Sequence, residues 1–159
     1  MTFIDPILQT LILLKNGWSY VQSGIQTSEF QFSTGWYDQN IGLPQITITP
    51  VTVLGSLIEC GPTPTYQFQD IISINIWVSP DSDSNKSLGG AKNMEYQLRT
   101  EVDRIIKSGS HISSGTDESF IYSSGWRNMD ELNTRPIILR SRFEIRDNYF
   151  RGIYEGYPT

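Results

Sequence analysis

Three arginines, Arg140, Arg142 and Arg146, stand at even-numbered positions of segment 136–148, with Glu144 among them. Guanidinium groups at two-residue steps on a strand share one face, and the chemistry open to them is bidentate pairing with carboxylates or other oxyanions. The alternate positions Ile137, Leu139, Phe143 and Ile145 are apolar, with Ser141 the exception. This is the two-residue period of a half-buried strand. One side belongs to a core and the other is an ion-rich surface, whose simplest role is to solvate an antiparallel face.

Other chemistry-bearing residues are sparse. His111 is the single histidine. A general base there would need an orienting carboxylate and a nucleophile, and its neighbours Ser114, Asp117 and Glu118 are ordinary for a Ser/Gly-rich polar loop. It reads as an exposed loop histidine. Asp81, Asp83 and Asn85 copy the first three ligand positions of a calcium loop, but Lys86 replaces the glycine of its sharp turn and Lys92 the closing glutamate. Segment 79–90 therefore reads as a solvent-facing contact loop. One cysteine, Cys60, allows neither an intrachain disulfide nor a Cys-based zinc site. No catalytic signature stands out, so the expectation is a non-enzymatic protein without metal or cofactor.

The elements that carry these residues follow from periodicity. Asp5 and Pro6 open a helix as cap and first-turn residue, Ile7, Leu8, Leu11, Ile12 and Leu14 form its wide apolar stripe, and Asn16-Gly17 closes it. The stripe predicts a largely buried helix. Segment 18–40 is rich in Gly, Ser, Gln and aromatic residues, with Phe30 and Phe32 at strand spacing. Segment 44–53 alternates Ile46 and Ile48 with Thr47 and Thr49, and Pro50 predicts an edge or a bulge. The longest expected strand is 66–78, whose even positions are apolar apart from Asp70 and whose odd positions are polar apart from Ile71 and Trp77. A second helix joins Ala91, Met94, Leu98, Val102, Ile105 and Ile106 on one side. Lys92, Glu95, Arg99, Glu101, Asp103 and Arg104 fall mostly on the other, with Glu95 and Arg99 spaced as an ion pair and Ser108-Gly109 as the stop. Phe120 and Tyr122, then Trp126, mark a short strand before the arginine-bearing one.

The chain of 159 residues fits a single domain with a real core, ending in an apolar arm over about 151–159 that holds Ile153, Tyr154 and Tyr157. The expected fold is α+β, a small antiparallel or mixed β-sheet with two helices packed on one face. A formal charge of −5 argues against general polyanion binding. The apolar run 7–14 is far shorter than the roughly 20 residues of a membrane span, and it lacks the basic flank and cleavage site of a signal peptide, so a soluble, non-secreted chain with no membrane partner is expected.

Three stretches together carry a family resemblance: DPILQTLILLKNG; the pair PQITITPV and QFQDIISINIWV followed by KNMEYQLRTEVDRIIKSG; and SGWRNMDELNTRPIILRSRFEIRDNY. With these the chain resembles the tail-terminator, or tail-completion, proteins of long-tailed phages and archaeal head-tailed viruses. Segment 18–40 and the apolar tail fall outside the likeness. The resemblance implies a virion protein of the tail or neck, assembled in the host cytoplasm as a homo-oligomeric ring, most often a hexamer. Its partners would be the tail tube protein and the head-tail connector, with DNA passing through the lumen without specific binding. A ring closes through a heterologous interface, so each subunit needs two different edges. Candidates are the strand at 44–53 and the arm with Ile153, Tyr154 and Tyr157, while Arg140, Arg142 and Arg146 would pair with acidic groups of a neighbour and Trp126 would anchor the turn before them. The alternatives are a head-completion adaptor on the portal side, a hydrolase using Asp70 with His111, and a non-viral peptide or carbohydrate binder using Trp18, Trp36 and Tyr37.

Overall fold

The computed structural model describes residues 6–35, 44–59, 65–82, 87–109, 111–114, 117–132 and 137–152. Helices α1 (Pro6–Gly17) and α2 (Tyr20–Ser23) precede strands β1 (Gln31–Thr34), β2 (Gln45–Glu59) and β3 (Thr65–Val78). Helix α3 (Leu88–Ser108) and strands β4 (His111–Ser114), β5 (Asp117–Asn128) and β6 (Leu139–Gly152) follow. Among the described residues the strands form one mixed sheet in the order β1-β2-β3-β6-β5-β4, parallel between β1 and β2 and antiparallel elsewhere. The fold is α+β.

The alternation of the strands becomes a core through register. Ile48 of β2 lies opposite Ile74 of β3, and Ile74 in turn opposite Phe143 of β6; Ile46 meets Ile76, Ile72 meets Ile145, and Val78 meets Leu139. These residues join Leu14 of α1 and Ala91, Leu98, Val102, Ile105 and Ile106 of α3 in one buried cluster. Each fully buried aliphatic side chain contributes about 1.5–3 kcal/mol. The cluster is what holds helices and sheet together. Close approach of α1 to α3 needs a small residue, since a Cβ on Gly17 would lie 2.9 Å from Ile105 Cγ2.

Several expectations change once partners are visible. Helix α1 is not largely buried, because its stripe is wider than its contact: Leu14 is fully buried, while Leu8 and Ile12, one turn apart, are each 48% exposed. Strand β2 has 15 residues and exceeds β3 with 14. Its ladder with β3 shifts between Pro50 and Thr52, so the bulge expected at Pro50 is present. Strand β5 is long rather than short, with 12 residues. Residues 111–114 are strand β4 rather than loop, since backbone pairing from His111–Phe120 to Ser114–Asp117 requires no apolar pattern. The expected cap Asp5, together with Trp36, Tyr37, Asp83 and Asn85, lies outside the described residues.

Helix α3 holds the clearest correction. Glu95 and Glu101, assigned by pattern to the solvent side, are buried. Glu101 accepts hydrogen bonds from the Ser19 backbone N–H at 2.9 Å and from Arg104 Nε at 3.0 Å, while Arg104 Nη2 caps the Gly17 carbonyl at 2.7 Å. A buried carboxylate persists when its lone pairs are filled in this way. Glu95 accepts from Ser141 Oγ at 2.9 Å, and Arg99, the expected partner of Glu95, stands 5.3 Å from the Trp126 ring centre.

Candidate functional site: an arginine-lined pocket on the polar side of the sheet

Strand β6 delivers its arginines to one side by the two-residue period, and register decides what each one meets. Arg140 lies opposite Trp77 of β3, Arg142 between Asn75 of β3 and Arg127 of β5, Glu144 between Ser73 and Gly125, and Arg146 opposite Ile71. These environments differ.

Arg140 is occupied within the chain. Its Nη2 and Nε donate to Asn75 Oδ1 at 2.8 and 3.2 Å, and its guanidinium carbon stands 4.5 Å from the Trp77 ring centre. Trp77 Nε1 donates to Thr47 Oγ1 at 2.9 Å, and Asn75 Nδ2 to Ser73 Oγ at 3.1 Å. The result is a buried polar network across β2, β3 and β6. Burial, and then the like charge of Arg142, hold Arg140 below the usual guanidinium range, with Glu131 pulling the other way. The backbone N–H of Arg140 also donates to Asp130 Oδ1 at 2.8 Å, and Asp130 pairs with Lys92 of α3. That hydrogen bond raises the Lys92 pKa above its ordinary value. Arg140 is therefore buried and engaged within the chain rather than solvating a face.

Arg142 and Arg146 are arranged otherwise. With Gly125, Trp126, Arg127 and Glu144 they line a pocket of about 220 Å³. Arg142 Nη2 comes only within 3.8 Å of Glu144 Oε2, beyond hydrogen-bond length. The Nε groups of Arg142 and Arg146 are buried and lack an acceptor. The pocket exists because β5 bulges here: its ladder with β6 shifts between Ser123 and Gly125, and Gly125 takes φ of 108°. That conformation favours glycine, and a Cβ at 125 would meet nothing within 4 Å, so the space beside it is open.

Trp126 belongs to the same pocket but serves the core. Its ring stacks on Phe143 with centres 4.4 Å apart and planes 12° from parallel, and it packs partly buried against the central cluster. It is a strand residue rather than a turn anchor, because its place opposite Phe143 is set by β5 pairing with β6. Of the residues singled out by sequence, the structure thus gathers Trp126, Arg142 and Arg146, leaves Arg140 in its own network, and places Ile153, Tyr154 and Tyr157 outside the described residues. Arg127 and Gly125 were missed; the one signal was a glycine inside an alternating pattern, which marks a bulge. Asp70 and His111 stand on β3 and β4, three strands or roughly 14 Å apart. Trp18, by contrast, packs against Phe30 and Phe32 with ring centres 4.6 and 5.8 Å away, and donates to the Ile25 carbonyl at 2.9 Å.

Among the described residues no group of three or more His, Cys, Asp or Glu side chains is placed to hold a metal ion. None of the described helices is long and apolar enough to cross a membrane. A scan against protein-family models finds no match to the chain, and a search of curated proteins finds none.

Proposed function

We propose that this chain is a structural protein of a viral tail or neck, a terminator that assembles as a ring on the end of the tail tube and joins it to the head connector. The observation that carries the reading is the pair of unlike strand edges. β1 covers β2 only over Gln45 to Ile48, and β4 covers β5 only over Asp117 to Phe120. Beyond those short covers, among the described residues, the outer sides of β2 over 49–59 and of β5 over 121–128 have no paired strand. Such edges are templates for pairing with another chain. Two different edges on opposite sides of one sheet are what a closed head-to-tail ring requires. The alternation of helix, strands, helix, strands, here α1, β1–β3, α3 and β4–β6, is the kind of element order on which the family resemblance rests and supports the same reading.

The test is the mass of the full chain in solution, alone and with tail tube protein added. A discrete ring, formed alone or on the tube, is expected. A chain that remains monomeric in both conditions overturns the proposal.

A further inference from the structure

The pocket at the Gly125 bulge carries a charge imbalance that the described residues do not neutralise. Elsewhere three cations find close carboxylate partners: Lys92 pairs with Asp130, Arg104 with Glu101, and Lys107 with Asp103 at 2.7 Å. Here three guanidinium groups, from Arg127, Arg142 and Arg146, face one carboxylate, Glu144, whose contact with Arg142 is 3.8 Å. Two buried Nε–H donors have no acceptor among the described residues. A buried donor left without a partner is costly, so a site that keeps two of them beside an open pocket is built to receive an acceptor.

We propose that the pocket lined by Gly125, Arg127, Arg142, Glu144 and Arg146 is a carboxylate receptor, and that its occupant is an acidic side chain of a second copy of this chain. The choice of occupant rests on the ring reading; the receptor itself does not. A guanidinium fork matches the two oxygens of a carboxylate. Glu144 in the lining opposes a doubly charged phosphate more than a singly charged carboxylate. The chain has 17 acidic residues against 12 basic, so every copy has carboxylates to spare. Gly125 and Arg127 also belong to the uncovered run of β5, so a copy paired along that edge would bring its side chains to the pocket. Nucleic acid fits poorly, since phosphate backbones are held by tracts of basic residues and this is one pocket on an acidic chain.

The experiment uses the full chain, and Arg142→Gln/Arg146→Gln is compared with wild type by sedimentation at low and high salt. The variant is expected to melt as wild type does, to weaken assembly at least tenfold, and to lose most of the salt dependence. Equal assembly with equal salt dependence overturns the proposal. The Arg142 and Arg146 Nε–H signals of the wild type are followed by NMR in parallel, which needs no variant to fold. If the wild type stays monomeric both alone and with tail tube protein added, the second copy is ruled out as occupant and the ring reading fails with it. Acetate then decides the receptor alone: a saturable shift of both signals keeps it, and no shift removes it. Tighter binding of inorganic phosphate than of acetate overturns the carboxylate assignment.

Discussion

Glu95 shows how one buried carboxyl couples helix and sheet. Burial chiefly raises its pKa above the ordinary 4.5, the Ser141 hydrogen bond pulls it back, and the charge of Asp130 raises it again. A shared proton with the neighbouring Asp130 carboxylate raises it further. A raised folded-state pKa means stabilisation that is complete below the unfolded value and is lost as pH rises through the folded one. At neutral pH the ionised form therefore carries a desolvation cost that a neutral isostere escapes. Glu95→Gln is expected to stabilise the fold by about 1 kcal/mol at neutral pH. The gain should vanish toward about pH 4, below the unfolded value, as urea denaturation across that range will check. Sequence could not reveal this. Glu95 and Glu101 lie at positions that a 3.6-residue period gives to solvent, and what buries them comes from Ser141, 46 residues away, and Ser19, 82 residues away. For the same reason the period of 136–148 located the core-facing Leu139, Phe143 and Ile145, yet gave no means of separating Arg140 from Arg142 and Arg146. Register, which sets Trp77 opposite the first and a bulge beside the others, and the diagonal hydrogen bonds from Arg140 to Asn75 tell them apart.

At the scale of elements, Pro50 explains how the long β2 strand can have one committed side and one that, among the described residues, has no paired strand beyond Ile48. Residues of an antiparallel strand direct their N–H and C=O groups alternately to either neighbour. The Ile48 carbonyl accepts from Gly35 N–H at 2.9 Å on the β1 side, so Pro50, two residues on, places its missing N–H outward. After the bulge at Val51, Val53 again faces outward by the same alternation, opposite Asp70. Val53→Pro is expected to leave the ladder with β3 intact while removing a donor from the free edge. The variant should retain the circular dichroism of the wild type and, under the ring proposal, sediment as a monomer under conditions in which the wild type assembles; an assembly equal to that of the wild type would show that this edge is not used. Helix α3 and strands β3 and β6 were legible in advance because their periods are long and unbroken. β4 was not, since its backbone pairing with β5 requires no apolar pattern, and β5 was foreshortened because its pattern breaks at Gly125.

The whole molecule poses the question of why an acidic protein should keep a basic pocket beside an open sheet edge. A free edge is an aggregation hazard unless its pairing is made selective. Charge complementarity supplies selectivity more readily than raw affinity, since a wrongly aligned neighbour leaves desolvated arginines without acceptors. In a ring the acidic surplus, −5 on each copy, would repel rather than grip DNA passing through. The same assembly defines what its loss must do. A tube grows by adding subunits to an exposed end, and growth stops when a ring unlike the tube occupies that end and offers a new surface to the head. Particles made without this chain are therefore expected to show tubes of irregular, extended length, unattached to filled heads, when viewed by electron microscopy. Supplying Val53→Pro in place of the wild type should reproduce that defect. Tails of normal and uniform length joined to filled capsids in its absence would leave the edges and the pocket without the role assigned to them.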